Sequence, residues 1–273
     1  MRNLLYLLIL FIPLHAQALS LDLPDGESSD VEVYSGDDKK YAIIYLHGKA
    51  SKPVIGHVEE MFNIISGDGY SIYAPEMPWG REKYRGTQKT ANAIIDQLVT
   101  IINARGKRAI LMGHSMGASY ALIYAGQYSD KLAGSVPIAL GHVPHWNDTL
   151  EDTTADSVAL ANKMVASGKG KQTSAFKDLN KGKSYEIEAT AEYYQSFYDL
   201  ATFPDVSKRV KQVTIPTLWI SGEQDYMTAL YDHKELFNMI PANKASSYKL
   251  LEGKHMSVLH FSAEVILEWL NDL

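Results

Sequence analysis

Ala109-Ile110-Leu111-Met112-Gly113-His114-Ser115-Met116-Gly117-Ala118-Ser119-Tyr120-Ala121-Leu122 is the stretch on which the reading of this chain turns. The apolar run at its start predicts a buried strand, and the small residues from Ala118 predict the start of a helix. Between them stands G-x-S-x-G. A serine on so sharp a strand-to-helix turn is held in a strained conformation with its hydroxyl exposed. The glycines two residues to either side let strand and helix pass closely, where side chains would clash. The first N–H groups of the helix point at the same spot and can bind an oxyanion. The pentapeptide alone is a common pattern, so the rest of the chain has to supply partners for Ser115.

Outward from this turn the chain alternates strand and helix. Strands are expected at 31–34, 41–46, 70–74, 108–112, 132–140, 217–221 and 247–251. Helices are expected at 53–66, 87–104, 115–128 and 262–270. The second of these rests on Ala91, Ile94, Ile95, Leu98 and Ile102, one helical face followed by Gly106. Near-continuous apolar strands between helices imply an α/β fold with a parallel sheet covered on both faces, a doubly wound three-layer sandwich. One stretch, Pro144 to Pro204, breaks the rhythm. Residues 152–167 and the aromatic 187–200 read as helices, and the glycine- and lysine-rich 168–183 reads as a loop. An insertion of this length is expected to be functional. It would form a cap over the strand ends, where open α/β sheets bind ligands.

A serine hydroxyl needs a base within hydrogen-bond reach, and the base needs an orienting acid. Two later strands each run into a short glycine-containing loop with a candidate. Gly222-Glu223-Gln224-Asp225 follows 217–221, and Glu252-Gly253-Lys254-His255 follows 247–251. The order Ser115, Asp225, His255 is that of one hydrolase class. Glu223 is a rival carboxylate. His260 is a rival base, although its apolar setting predicts a packed, structural role. His142 and His145 form an H-x-x-H pair beside Asp148, with no third metal ligand evident.

With GHSMG, "SGEQDYMT", "GKHMS" and "YLHGKAS", the chain resembles the α/β-hydrolase superfamily from about Tyr41 to Leu273. The resemblance is to capped serine hydrolases of the esterase and lipase kind. It implies a mostly parallel eight-stranded sheet with an inserted helical cap, and hydrolysis through an acyl-enzyme. Ser115 would attack the carbonyl, His255 would move the proton, and Asp225 would orient the imidazole. The backbone N–H groups of Lys49 and Met116 would form the oxyanion hole, and His47 would brace the loop. After His47-Gly48 the segment is Lys49-Ala50-Ser51, not the glycine-rich run of one esterase branch, which argues against esters of bulky tertiary alcohols. Trp79, Tyr194 and Tyr198 are the candidate substrate-binding residues, offering an apolar acyl or aryl pocket.

Met1-Arg2-Asn3, the apolar 4–14 and Ala16-Gln17-Ala18 form a secretory signal-peptide pattern, with a mature start expected at Leu19. Residues 19–273 would then be one domain with its cap at about 144–204, periplasmic or secreted, without a stable membrane anchor. There is no cysteine, so stability has to come from the core. The net charge of −6 and the scattered basic residues give no sign of nucleic-acid binding. A small-molecule ester or acyl substrate is expected, with no cofactor or metal. Peptidase, amidase or thioesterase chemistry on the same residues is the nearest alternative, and a non-catalytic binding protein of the same fold the next.

Overall fold

The computed structural model describes residues 17–23, 26–36, 39–81, 83–180 and 182–273. The strands are β1 (Gln17–Asp22), β2 (Ser28–Tyr34), β3 (Tyr41–Leu46), β4 (Ser71–Pro75), β5 (Arg108–Ser115), β6 (Gly134–Leu140), β7 (Thr173–Asn180), β8 (Lys183–Thr190), β9 (Leu218–Gly222) and β10 (Ser247–Leu251). The helices are α1 (Gly56–Gly67), α2 (Gln88–Ala104), α3 (Met116–Gln127), α4 (Asp148–Ala166), α5 (Ala191–Tyr198), α6 (Val206–Val210), α7 (His233–Asn238) and α8 (Ser262–Asp272). Eight strands form one sheet in the order β1-β2-β4-β3-β5-β6-β9-β10. From β4 to β10 all neighbours are parallel. β2 runs against both β1 and β4.

Successive side chains of a strand face opposite sides of the sheet, and this divides the core in two. Ile43, Tyr45, Ile110 and Met112 pack with Phe62 and Ile65 of α1 and Ile266 of α8. Ile44, Leu46, Ala109 and Leu111 pack with Ile94 and Leu98 of α2 and Leu122 of α3. Both faces are therefore covered, as the apolar runs require. α2 starts where Thr87 and Thr90 close a capping box. α6 and α7, which the periodicity does not foreshadow, are single short turns begun by the side-chain caps of Asp205 and Asp232.

Of the expected leader, residues 1–16 lie outside the described residues. Gln17 and Ala18 open β1, so a cut before Leu19 would fall inside that strand and leave the pairing from Leu19↔Val31 to Asp22↔Ser28 in place. Among the described residues no helix is long and apolar enough to cross a membrane.

The insertion is not wholly helical. α4 and α5 are present, but the expected loop at 168–183 and the start of the second expected helix form the hairpin β7–β8 instead, in register from Thr173↔Thr190 to Asn180↔Lys183. The hairpin signal is a period-2 alternation in which a buried position is polar. Phe176 and Asp178 of β7 and Ile187 and Ala189 of β8 point inward, and the residues between them face water. Asp178 at an inward position hides the alternation from an apolar count.

Candidate active site

β5 delivers Ser115 where the chain turns into α3. Its φ of 57° and ψ of −119° are sparsely populated for a side-chain-bearing residue, a conformation costing about 1–3 kcal/mol. The turn closes because its flanks lack side chains. A Cβ on Gly113 would lie 2.1 Å from the Gly117 carbonyl oxygen, and one on Gly117 would lie 2.0 Å from that of Leu46. The packed surroundings of α3, buried from Met116 to Ala125, hold the strained residue in place.

His255 Nε2 lies 2.9 Å from Ser115 Oγ. His255 Nδ1 lies 3.0 and 2.9 Å from the two carboxylate oxygens of Asp225. The loops carrying Asp225 and His255 are joined by backbone hydrogen bonds, Glu223 N–H to Leu251 O at 2.8 Å and Gln224 N–H to Gly253 O at 3.0 Å. Asp225 also accepts from Met227 N–H at 2.9 Å, which fixes its rotamer. Of the rivals, Glu223 is exposed. His260 is not packed as its neighbours in sequence suggest. The 3-10 turn Ser257–Phe261 buries Val258 and Leu259 and turns His260 outward, leaving its side chain 55% exposed.

The loop after β3 abuts the serine: a Cβ on Gly48 would stand 3.3 Å from Ser115 Cβ. The N–H-bearing residues expected to hold an oxyanion, Lys49 and Met116, thus lie on the segments either side of Ser115. His47 braces this loop. Its Nδ1–H donates to Gly48 O at 2.8 Å, and its Nε2 accepts from Met77 N–H at 3.0 Å. Burial holds its pKa down at about 4, so the ring is neutral and can accept. Trp79 donates from Nε1 to His47 O at 2.8 Å. His114 donates from Nε2–H to His255 O at 2.8 Å and ties the His255 loop to β5. Burial pushes its pKa down to about 3. Gly141 is a position sequence reasoning missed: a Cβ there would stand 2.7 Å from Ser115 Oγ. The only prior sign of it was a glycine at the end of an apolar strand.

The insertion is fastened over this edge of the sheet. Lys49 Nζ lies 2.7 Å from Asp178 Oδ1 and 2.9 Å from Leu179 O, both on β7. Burial alone would raise the Asp178 carboxyl, but the Lys49 ammonium overrides it and holds the group below its ordinary value. The Lys49 side chain, which has no role if only its main chain acts, is a buried anchor. A cavity of about 630 Å³ opens beside Lys49 and Ala50, between Trp79, Tyr84 and hairpin residues Tyr185 and Ile187. Of the three candidate substrate-binding residues only Trp79 reaches its wall. Tyr194 and Tyr198 are buried and stacked on one another, 4.3 Å between ring centres, with Tyr198 OH 3.0 Å from Tyr84 OH. Their one-turn spacing builds the interior of the insertion rather than a pocket. His142 and His145 are spent on its exit, their Nε2–H groups donating to Phe197 O and Leu200 O at 2.9 and 3.0 Å.

An imidazole poised between a hydroxyl and a buried carboxylate can take a proton from that hydroxyl as it attacks an electrophilic carbon, then return it to a leaving group. A family model described as serine aminopeptidase, S33, matches residues 37–259. Comparison with curated proteins returns no match. Among solved structures, the α/β hydrolase GrgF from Penicillium sp. sh18 is similar with a TM-score of 0.72 and 13% identity, over 94% of this chain and 98% of that one. A monoacylglycerol lipase of Paleococcus ferrophilus gives 0.65 and 18%, over 89% and 98%. Est1E of Butyrivibrio proteoclasticus, solved with ferulic acid, gives 0.62 and 15%, over 93% and 100%. At such identities the likeness to solved structures is one of fold.

Proposed function

The chain belongs to the serine aminopeptidase S33 family of α/β hydrolases, and from that premise we propose that it is a serine hydrolase cleaving small carboxylic esters through an acyl-enzyme. The observation that carries the reading is the unbroken hydrogen-bonded line from Ser115 Oγ through His255 to Asp225, with links of 2.9 Å on each side of the imidazole. Ser115 Oγ attacks the ester carbonyl while His255 Nε2 takes its proton. The carbonyl oxygen, now negative, is held by the Lys49 and Met116 N–H groups; one such donor contributes about 3 kcal/mol to the transition state. Asp225 keeps the second ring proton on Nδ1 and stabilises the imidazolium. Collapse of the tetrahedral adduct expels the alcohol, which takes the proton from His255. Water repeats the sequence on the acyl-serine and frees the acid.

A fluorophosphonate probe should label Ser115 in the wild type, and Ser115→Ala should abolish ester turnover with the Tm within a few degrees. Folded wild-type protein that resists the probe overturns the reading. Cleavage of an amide on the same residues is the alternative reading; the Glu186 and Glu188 carboxylates on the cavity wall share it with Arg81 and Lys83, and Lys83 Nζ lies 3.5 Å from Glu188 Oε2. Kinetics on p-nitrophenyl esters of increasing chain length beside aminoacyl-nitroanilides separate the two, and thioesters can be tested in the same series. The same proposal takes residues 1–18 as a signal peptide and the periplasm or exterior as the place of action. Mass spectrometry of the exported protein should give a chain beginning at Leu19.

A further inference from the structure

α1 begins directly after the Lys49 loop, and the turn that carries His260 directly follows the His255 loop. The two meet at the surface in a group of three exposed side chains. His57 Nδ1 lies 3.4 Å from Glu60 Oε2, and His260 Nδ1 lies 2.9 Å from the same oxygen. Among the described residues this is the one group of three or more His, Cys, Asp or Glu that could hold a metal ion, with ligand atoms all within 4.8 Å of one another. A tetrahedral zinc ion with legs of about 2.0–2.1 Å needs ligand atoms about 3.3 Å apart. Two of the edges are already close to that length, and rotation of exposed side chains can shorten the third. His57 and Glu60 stand three residues apart near the start of α1 and so share a face.

We propose that His57, Glu60 and His260 form a surface site for a zinc-like divalent cation. The donor set of two imidazoles and one carboxylate suits zinc and its transition-metal neighbours rather than magnesium or calcium, which prefer oxygen. The ion takes the place of the two N–H···O bonds. Each imidazole presents the Nδ1 lone pair with its proton on Nε2, and Glu60 supplies the third ligand. The fourth position faces solvent and takes water. Because the three ligands come from segments flanking the oxyanion and base loops, the bound ion ties those segments together and stabilises the folded state by mass action. The site is independent of the ester-hydrolase reading, since none of its ligands belongs to the hydrogen-bonded line at Ser115.

Zinc chloride titrated into metal-free protein, followed by calorimetry and thermal melting, tests this. The wild type should bind one equivalent and gain about 5 °C in Tm at a hundredfold excess over Kd. His57→Ala and His260→Ala should each weaken binding at least tenfold, with Glu60→Gln intermediate, and none should change the metal-free Tm by more than about 1 °C. Magnesium at equal concentration should leave Tm unchanged. Equal zinc binding by the His57→Ala/His260→Ala double variant assigns the ion elsewhere and overturns the proposal. So does an equal response to magnesium, or no zinc binding at millimolar concentration.

Discussion

A methyl group on Gly141 would reach to 2.7 Å from Ser115 Oγ and 3.5 Å from His255 Cε1. Gly141→Ala therefore has to push the hydroxyl off its line with the imidazole. A displacement approaching 1 Å costs about a hundredfold in rate, so kcat/KM on an ester should fall by that order while the melting curve moves little. A variant as active as the wild type would show that the backbone yields there instead. The choice of acid is tested at the same scale. Asp225→Asn leaves shape intact but removes the charge that fixes the ring proton on Nδ1, and turnover should fall by about 10⁴. Glu223→Gln, at an exposed position, should stay within twofold. The reverse result would move the acid to Glu223.

Elements were legible where one physical signal dominated. β3 and β9 fall where apolar runs end in turn residues, and α2 where an apolar face meets a cap and a following glycine. The Ser115 and Asp225 loops were legible because each follows such a strand, and the His255 loop because Gly253 and a candidate base follow β10, a short strand whose residues are half-buried or exposed. The hairpin β7–β8 was not, because its inward face carries Asp178, whose partner Lys49 is remote in sequence. Nothing local tells that an aspartate will be buried against a lysine on another loop. That pair has 8% and 0% of its side chains exposed, so it is not a surface ion pair. Removing one member of such a pair costs about 3–5 kcal/mol, since the other charge is left stranded. Asp178→Ala should therefore loosen the hairpin and lower kcat through the Lys49 loop. Lys49→Met combined with Asp178→Leu should cost less than the two single changes together. A double-mutant cycle giving a coupling energy below about 0.5 kcal/mol would show that the hairpin is held by its apolar residues alone.

For the molecule as a whole, the acid limit of stability follows from four imidazoles that the fold keeps neutral. Burial lowers His47 and His233 to about 4, and His114 and His142 to about 3. In the unfolded chain each titrates near 6.5. Above that pH both states hold these rings neutral, and their contribution is fully present. Below it the unfolded chain takes up protons that the folded chain refuses, so stability falls with pH from about 6.5 towards 4 and 3. At pH 5.5 the loss is about 1.4 kcal/mol for each ring, or about 6 kcal/mol for the four. That rivals the whole stability of an ordinary domain, about 5–15 kcal/mol. Asp178, held below its ordinary carboxylate value, adds a loss of the same sense only below about pH 4, so the two windows separate. Urea unfolding free energies measured at half-unit steps from pH 7.5 to 5 should bend downward below 6.5. The slope at pH 5 should correspond to about four protons taken up on unfolding, and His142→Gln should reduce it by about one. Unfolding free energies that stay level from pH 7 to 5.5 would mean that these rings accept protons inside the folded protein, and the neutral braces assigned to His47 and His114 would fall with that result.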